Sequence, residues 1–223
     1  MSGRVSIIEL KETILKDNDK DAEDLRETLK KQKTFYLNVM SSPGSGKTTT
    51  ILNILKRLPE DIKVAVMEAD IDSDVDAVKI EEAGVRSIQL HTAGMCHLDA
   101  DMSRQGLREL PSEDYDFVIL ENVGNLVCPA EFDTGAAKNL VILSLTEGDD
   151  KPLKYPLMFE KSDVVLINKV DAAPVFDFDF ERAKGDIHKR HPCVLVFPLS
   201  GKTGEGYEAL MEWLVREIRQ WNN

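Results

Sequence analysis

Short apolar runs alternate with amphipathic stretches from residue 34 to the end of the chain. The apolar runs predict strands at 34–40, 62–68, 85–90, 116–121, 140–145, 163–168 and 193–198. Helical patterns lie between most of them, for example from Thr48 to Leu58, from Asp76 to Ala83 and from Tyr207 to Trp221. Repetition of strand and helix predicts an α/β fold with a mostly parallel sheet and helices on both faces. We therefore expect ligands at the carboxyl ends of the strands.

The first 33 residues have a different pattern. Residues from about 9 to 32 are dense in charge, with Leu10, Ile14, Leu25 and Leu29 at loosely helical spacing. We interpret residues 1–33 as a helical extension on the surface, and residues 34–223 as one domain. A chain of 223 residues suits a single α/β domain with one core.

Composition excludes several classes of function. The net charge is −12 and the isoelectric point about 4.9, which disfavours nucleic-acid binding through a basic surface. The sequence has neither an apolar run of 18 residues nor an apolar signal-peptide core near its N-terminus, so we expect a cytoplasmic protein that binds no membrane. Three cysteines, an odd number, form no disulfide framework, and in a reducing compartment each is a core residue, a metal ligand or a reactive thiol.

A phosphate-binding loop is predicted directly after the first of these strands. In such a loop, glycines allow backbone amides to face a polyphosphate, and the N-terminus of the next helix adds its dipole. Lys47 is expected to reach the β- and γ-phosphates, and Thr48 to offer its hydroxyl to magnesium. Ser41 stands where the usual pattern begins with glycine. The predicted nucleotide contacts here are Ser42, Gly44, Ser45, Gly46, Lys47, Thr48 and Thr49.

A second motif, at residues 168–171, predicts which base is bound. Asn168, Lys169 and Asp171 follow an apolar strand and match the pattern that specifies guanine. A carboxylate at 171 can accept hydrogen bonds from N1–H and the 2-amino group of guanine, whereas adenine offers no such pair. Further along, Ser200, Gly201 and Lys202 follow another strand and resemble the last motif of GTPases. The predicted nucleotide is therefore GTP or GDP.

Acidic residues near the strand ends predict a magnesium site. Asp70, Asp72, Asp74 and Asp76, with Glu81 in twelfth place, imitate the spacing of a calcium loop, but Val75 stands where that loop needs glycine. We favour a switch segment, 70–76, with Asp70 or Asp76 near magnesium. Glu121 ends a strand and fits the residue that holds the ion or its waters. The predicted catalytic residues are Lys47, Thr48, Asp76 and Glu121.

Two cysteines and a histidine follow other strands at the same predicted edge. Cys96, His97 and Cys128 could bind nickel or zinc, but their spacing alone favours two buried cysteines and a loop histidine. A complete site would need a second subunit, since one chain offers three ligands at most. A cysteine hydrolase is disfavoured because adjacent residues rarely point at one another. Cys193, inside an apolar run, is expected in the core.

Four segments together resemble the HypB family of hydrogenase nickel-insertion GTPases. They are residues 42–48 (SPGSGKT), 96–100 (CHLDA), 121–129 (ENVGNLVCP) and 146–156 (TEGDDKPLKYP). The resemblance runs from about residue 34 to the end. It implies a P-loop GTPase fold of the signal-recognition and MinD-like (SIMIBI) class, and a nickel or zinc site shared by Cys96, His97 and Cys128 of both copies in a nucleotide-promoted homodimer.

The same resemblance implies partners. Nickel would pass to the large subunit of a [NiFe] hydrogenase, with the nickel-binding accessory protein HypA as a helper. Residues 1–33 contain neither cysteine nor histidine, so the nickel-storing N-terminal motifs of some family members are absent from this sequence. Three alternatives stay open: a urease-type nickel-delivery GTPase, which the Cys128 segment disfavours; a small-molecule kinase, which residues 168–171 disfavour; and a zinc-stapled interaction module with a regulatory nucleotide site.

Overall fold

The computed structural model describes residues 6–9, 18–70, 75–92 and 94–223, with the backbone alone for residues 6–9, 70 and 75. Within these residues, eight parallel strands form one sheet in the order β1-β4-β3-β5-β2-β6-β7-β8. The strands are β1 (Ser6–Glu9), β2 (Phe35–Ser41), β3 (Val64–Asp70), β4 (Arg86–His91), β5 (Phe117–Glu121), β6 (Lys138–Ser144), β7 (Val164–Asn168) and β8 (Leu195–Pro198).

Nine α-helices connect or flank these strands in the described part of the chain. They are α1 (Asn18–Gln32), α2 (Lys47–Leu55), α3 (Val75–Glu82), α4 (Ala100–Glu109), α5 (Cys128–Glu131), α6 (Lys151–Lys154), α7 (Pro156–Glu160), α8 (Phe180–Arg190) and α9 (Tyr207–Asn222). None of the helices described is long and apolar enough to cross a membrane.

The predicted α/β fold with a parallel sheet is confirmed, and all seven predicted strands are present with shifts of a few residues at their ends. The edge strand β1 was not predicted, because four residues give too short a pattern to identify a strand. Helix α2 ends at Leu55 rather than at Leu58. The expectation that Cys193 lies in the core is wrong: it is exposed, because β8 begins only at Leu195 and forms the edge of the sheet.

The core lies on both faces of the sheet, as a parallel sheet requires. Every residue of β2 is buried. On one face, Phe35 and Leu37 pack with apolar residues of α2 and α9, and on the other face Tyr36 packs with residues of α1 and α4. Leu25 and Leu29 of α1 belong to this second cluster, so the helix packs against the sheet rather than standing in solvent.

Three asparagines cross the centre of the sheet. Asn122 Nδ2 donates to Asn38 Oδ1 at 3.0 Å, and Asn38 Nδ2 donates to Asn139 Oδ1 at 2.9 Å. Asn38 is 1% exposed and Asn122 is fully buried. Buried amides cost stability unless they are paired. The chain of hydrogen bonds pairs these groups and links Asn38 in the middle of β2 to the residue after β5 and to the start of β6.

Replacing the middle member of this chain should destabilise the fold. Asn38→Ala is expected to lower the free energy of unfolding by about 2–3 kcal/mol, because the side chains of Asn122 and Asn139 lose their shared partner. Urea unfolding followed by circular dichroism measures the change. Asn223→Ala, at the exposed C-terminus, is the control and should stay within about 0.5 kcal/mol of the original chain. Equal stabilities of the two variants would contradict the role of the asparagine chain.

Candidate functional site

The loop between β2 and α2 has the backbone of a phosphate cradle. Gly44 and Gly46 have φ values of 74° and 100°, in the left-handed region that favours glycine. Helix α2 begins at Lys47, so its free amides face the loop. Ser45 is 1% exposed and its Oγ has no hydrogen-bond partner among the described residues. A buried hydroxyl without a partner fits a loop that closes around an anion.

The predicted lysine, threonine and glutamate lie together beside this loop. Thr48 Oγ1 donates to Glu121 Oε1 at 3.1 Å, and Lys47 Nζ lies 3.9 Å from the same oxygen. Lys47 also donates to Ser41 Oγ at 3.3 Å. An ammonium, a hydroxyl and a carboxylate therefore share one corner at the ends of β2 and β5.

A cavity of about 280 Å³ opens from this corner. Its wall includes Gly44 and Lys47 of the phosphate loop, Glu121, and Asp76 in the first turn of α3. Lys79 Nζ donates to Asp76 Oδ1 at 2.7 Å. Asp76 thus lies where the sequence predicts it. The side chain of Asp70 and the whole of Asp72 and Asp74 lie outside the described residues, so their role stays a prediction.

Two polar residues that the sequence reasoning missed line the same cavity. Glu68 on β3 and Gln89 on β4 are 3% and 1% exposed. Burial and the neighbouring charge of Glu121 hold the pKa of Glu68 well above its usual range. Burial also raises the pKa of Glu121, against the opposing effect of Lys47. A glutamate inside the apolar run 64–69 was the available signal, since strands buried on both faces rarely contain acids.

The base motif forms a hydrogen-bonded junction at the end of β7. Asn168 Nδ2 donates to the carbonyl oxygen of Ser45 at 2.8 Å, and Asn168 Oδ1 accepts from the backbone N–H groups of Lys169 and Gly201 at 2.7 and 3.0 Å. Lys169 Nζ donates to the carbonyl oxygen of Gly44 at 2.7 Å. The amide of Asn168 therefore fixes the phosphate loop and the 200–203 loop relative to each other.

The carboxylate of Asp171 remains available for the base. Asp171 is exposed, and Ser200 Oγ donates to its Oδ1 at 2.6 Å. This bond orients the carboxylate through one oxygen, and the other oxygen makes no hydrogen bond to the described residues that would compete with a ligand. Lys202 is exposed in the adjoining turn. The structure thus brings the predicted base residues together. Asn168 holds the neighbouring loops by hydrogen bonds, and Asp171 is accessible to a ligand.

Cys96, His97 and Cys128 converge, as the metal hypothesis requires. Their ligand atoms all lie within 4.8 Å of one another, and the two sulfur atoms are 2.8 Å apart. The ring of His97 stacks on Phe132, with centroids 3.6 Å apart. The hydrogen bond from Cys96, followed by burial, raises the pKa of Cys128. Two thiols and an imidazole at this separation suit zinc or nickel and leave a fourth position open.

The loop that leads to Cys128 touches the phosphate loop. A Cβ atom at Gly124 would lie 3.1 Å from the Cα of Pro43, closer than ordinary contact. Residues 122–127 thus run from Glu121 across the phosphate loop to the N-terminus of α5. The nucleotide corner and the thiol cluster are joined by direct packing.

Substitution at Gly46 should abolish nucleotide binding without unfolding the chain. An alanine Cβ would lie 2.6 Å from Asn168 Nδ2, and its φ of 100° is strained for any side chain. We expect Gly46→Ala to weaken guanine nucleotide binding by at least about tenfold, measured by equilibrium dialysis. Gly44→Ala is the matched control, because φ is also positive there but the space is open. Equal affinities of the two variants would contradict the role assigned to the contact with Asn168.

Comparison with known proteins gives a consistent result. The family model described as CobW/HypB/UreG, nucleotide-binding domain, matches residues 35–197. The hydrogenase maturation factor HypB of Rhizobium leguminosarum bv. viciae is 42% identical over 208 residues, which are 93% of this chain and 70% of the relative.

Solved structures agree in fold. The crystal structure of HypB from Helicobacter pylori in complex with nickel superposes with a TM-score of 0.85 at 40% identity, covering 92% of this chain and 96% of that one. The signal recognition particle 54 kDa protein of Aeropyrum pernix, in complex with GDP, has a TM-score of 0.57 at 16% identity, covering 89% and 54%. This second likeness concerns the fold alone, and it agrees with the predicted α/β fold with a parallel sheet.

Proposed function

The chain belongs to the HypB branch of the CobW/HypB/UreG nucleotide-binding family, and from this premise we propose that it hydrolyses GTP to deliver nickel to a [NiFe] hydrogenase large subunit. The observation that carries the proposal is the convergence of Cys96, His97 and Cys128 in loops at the edge that also holds the phosphate loop. The close approach of Gly124 to Pro43 supports communication between the phosphate loop and the cluster of Cys96, His97 and Cys128.

In the GTP step, positioning and charge neutralisation supply most of the catalysis. Lys47 would lie along the oxygens of the β- and γ-phosphates. The hydroxyl of Thr48 would turn from Glu121 toward magnesium, with Asp76 and Glu121 beside it. Glu121 Oε2 is buried and has no hydrogen-bond partner among the residues that the structure describes, so the carboxylate and hydroxyl oxygens fit this ion. Magnesium bound there would neutralise charge that develops on the phosphates.

The choice of GTP would rest on Asp171. Its carboxylate, oriented by Ser200, can accept from both guanine donors. The side chain of Lys169 would lie along the base. Asn168, Gly201 and Ser45 hold the loops around the nucleotide. Ser42, Gly44 and Thr49 complete the predicted phosphate contacts, and Lys202 the base loop.

The nickel step would use two copies of the chain. Three ligands in one copy leave the coordination incomplete, and a facing copy would supply the rest. Val127, beside Cys128, is 50% exposed, and Leu153 and Leu157 are 45% and 37% exposed. Exposed apolar residues of this kind, one of them next to Cys128 in the chain, support a surface that a second copy covers. Zinc would compete for the same ligands.

Nucleotide exchange would change nickel affinity through the loop 122–127. Movement of Pro43 on GTP binding displaces Gly124 and, through it, Cys128. A coupling free energy of about 1–3 kcal/mol would change metal affinity about 5- to 150-fold. We further propose that HypA exchanges nickel with the dimer and that the chain acts in the cytoplasm, where thiols stay reduced.

The base assignment can be tested by substitution. Asp171→Asn should weaken GTP binding and favour xanthosine triphosphate, because an amide can donate to the xanthine oxygen and no longer accepts from the 2-amino group. Competition between the two nucleotides measures the change, expected at about tenfold or more. Asp177→Asn, an exposed acid nearby in the chain, is the control. An unchanged GTP preference in Asp171→Asn would show that another group reads the base.

The metal assignment can be tested by titration. Nickel and zinc are added with GDP or with a non-hydrolysable GTP analogue, while metal stoichiometry and molecular mass are measured in the same sample. We expect half a metal ion per chain or more, appearing with the dimer and depending on the nucleotide. Cys96→Ala should lose this binding and keep GTP turnover.

The matched control for this titration is Cys193→Ala, which removes an exposed thiol outside the cluster and should bind metal normally. Full metal binding by Cys96→Ala would contradict the ligand assignment. Binding that is indifferent to the nucleotide would instead favour a zinc-stapled interaction module, with structural cysteines and no delivery of nickel.

A further inference from the structure

Three polar side chains form a row across neighbouring strands at the cavity beside the phosphate loop. In the parallel register, Glu68 on β3 is opposite Gln89 on β4 and opposite Glu121 on β5. Residues opposite one another in adjacent strands point to the same face of a sheet. All three line the cavity of about 280 Å³. The row is therefore one wall of a single space.

Each member of this row has a buried atom without a partner. Gln89, Glu68 and Glu121 are 1%, 3% and 4% exposed. Gln89 Nε2, Glu68 Oε1 and Glu121 Oε2 make no hydrogen bond within the described residues. Burial of carboxylates next to each other costs several kcal/mol per ion unless a cation or hydrogen bonds compensate. Three such atoms on one wall indicate a ligand that belongs between them.

The rest of the cavity lining identifies that ligand. It includes Gly44 and Lys47 of the phosphate loop and Asp76 of α3, so the space adjoins the expected position of the terminal phosphate. Magnesium in such sites binds one or two carboxylates and the phosphates, and it keeps several of its waters. A cavity of this size holds several water molecules. The site thus has room for the ion together with its waters.

We propose that Glu68 is a positioning residue for magnesium, accepting a hydrogen bond from a metal-bound water through Oε1, with Gln89 donating to the next water from Nε2. Glu121 and Thr48 would hold the ion, and Glu68 lies one strand further from the phosphate loop, where it would orient the hydration shell of the ion. The inference rests on the proposed GTPase function, and it adds two residues that no sequence motif identifies.

The test is a magnesium titration of nucleotide binding. A fluorescent GDP analogue is bound at graded free magnesium by the original chain, by Glu68→Gln and by Glu81→Gln. Glu68→Gln keeps the shape of the side chain and removes its charge. We expect the half-maximal magnesium concentration to rise about tenfold, with unchanged or tighter binding in EDTA, since a carboxylate near the phosphates is gone. Glu81→Gln removes an acid on the same helix as Asp76 that lies outside the cavity, and should have no effect.

A second variant keeps the inference testable if Glu68→Gln does not fold. Gln89→Met keeps the length of the side chain without its donor, and should raise the magnesium requirement about threefold. An unchanged requirement in folded Glu68→Gln, or in folded Gln89→Met if the first variant does not fold, would overturn the inference. Such a result would show a carboxyl pair that shares a proton and orients no water. Failure of the original chain to prefer guanine nucleotides would instead contradict the proposed function, so the two failures are distinguishable.

Discussion

The common direction of all eight strands is the constraint on which the rest of the structure depends. Parallel strands bring their carboxyl ends to one edge, and each functional segment of this chain leaves the sheet there. The phosphate loop follows β2, the thiol of Cys128 follows β5, and the base junction follows β7. If one of these strands ran antiparallel to the others, its loop would leave the sheet at the opposite edge. Groups that are now neighbours would then be separated.

Polar side chains of the buried strands fix the positions of the loops at this edge. The amide of Asn168 makes three hydrogen bonds that unite separate loops, and Asn38 joins two neighbouring asparagines across the sheet. Apolar packing could not fix the loops in this way, because it is non-directional and tolerates small displacements. A hydrogen-bonded amide fixes both distance and orientation. The positions of the site residues are therefore fixed by side chains of the strands, although most of the site residues themselves lie in loops.

Features that depend on neighbours in the chain were predictable. Apolar runs identified seven strands, and contiguous motifs identified the phosphate loop, the Asn168 corner and Glu121. Features that depend on which strands lie side by side could not be predicted from the sequence. Glu68 and Gln89 become partners only because β3 lies between β4 and β5, an order that no local pattern encodes. Cys193 was misassigned for the same reason, since its apolar run belongs to an edge strand.

The buried row of Gln89, Glu68 and Glu121 also affects how long the protein survives. Buried acids whose oxygens are only partly hydrogen-bonded make the ligand-free fold less stable than an apolar wall would. Ligands that bind only the native state stabilise it by mass action. Ligand at a hundred times its dissociation constant adds about 2.7 kcal/mol, enough to change the unfolded fraction about a hundredfold. Proteases act on that fraction, so steady-state abundance would follow the supply of nucleotide and magnesium.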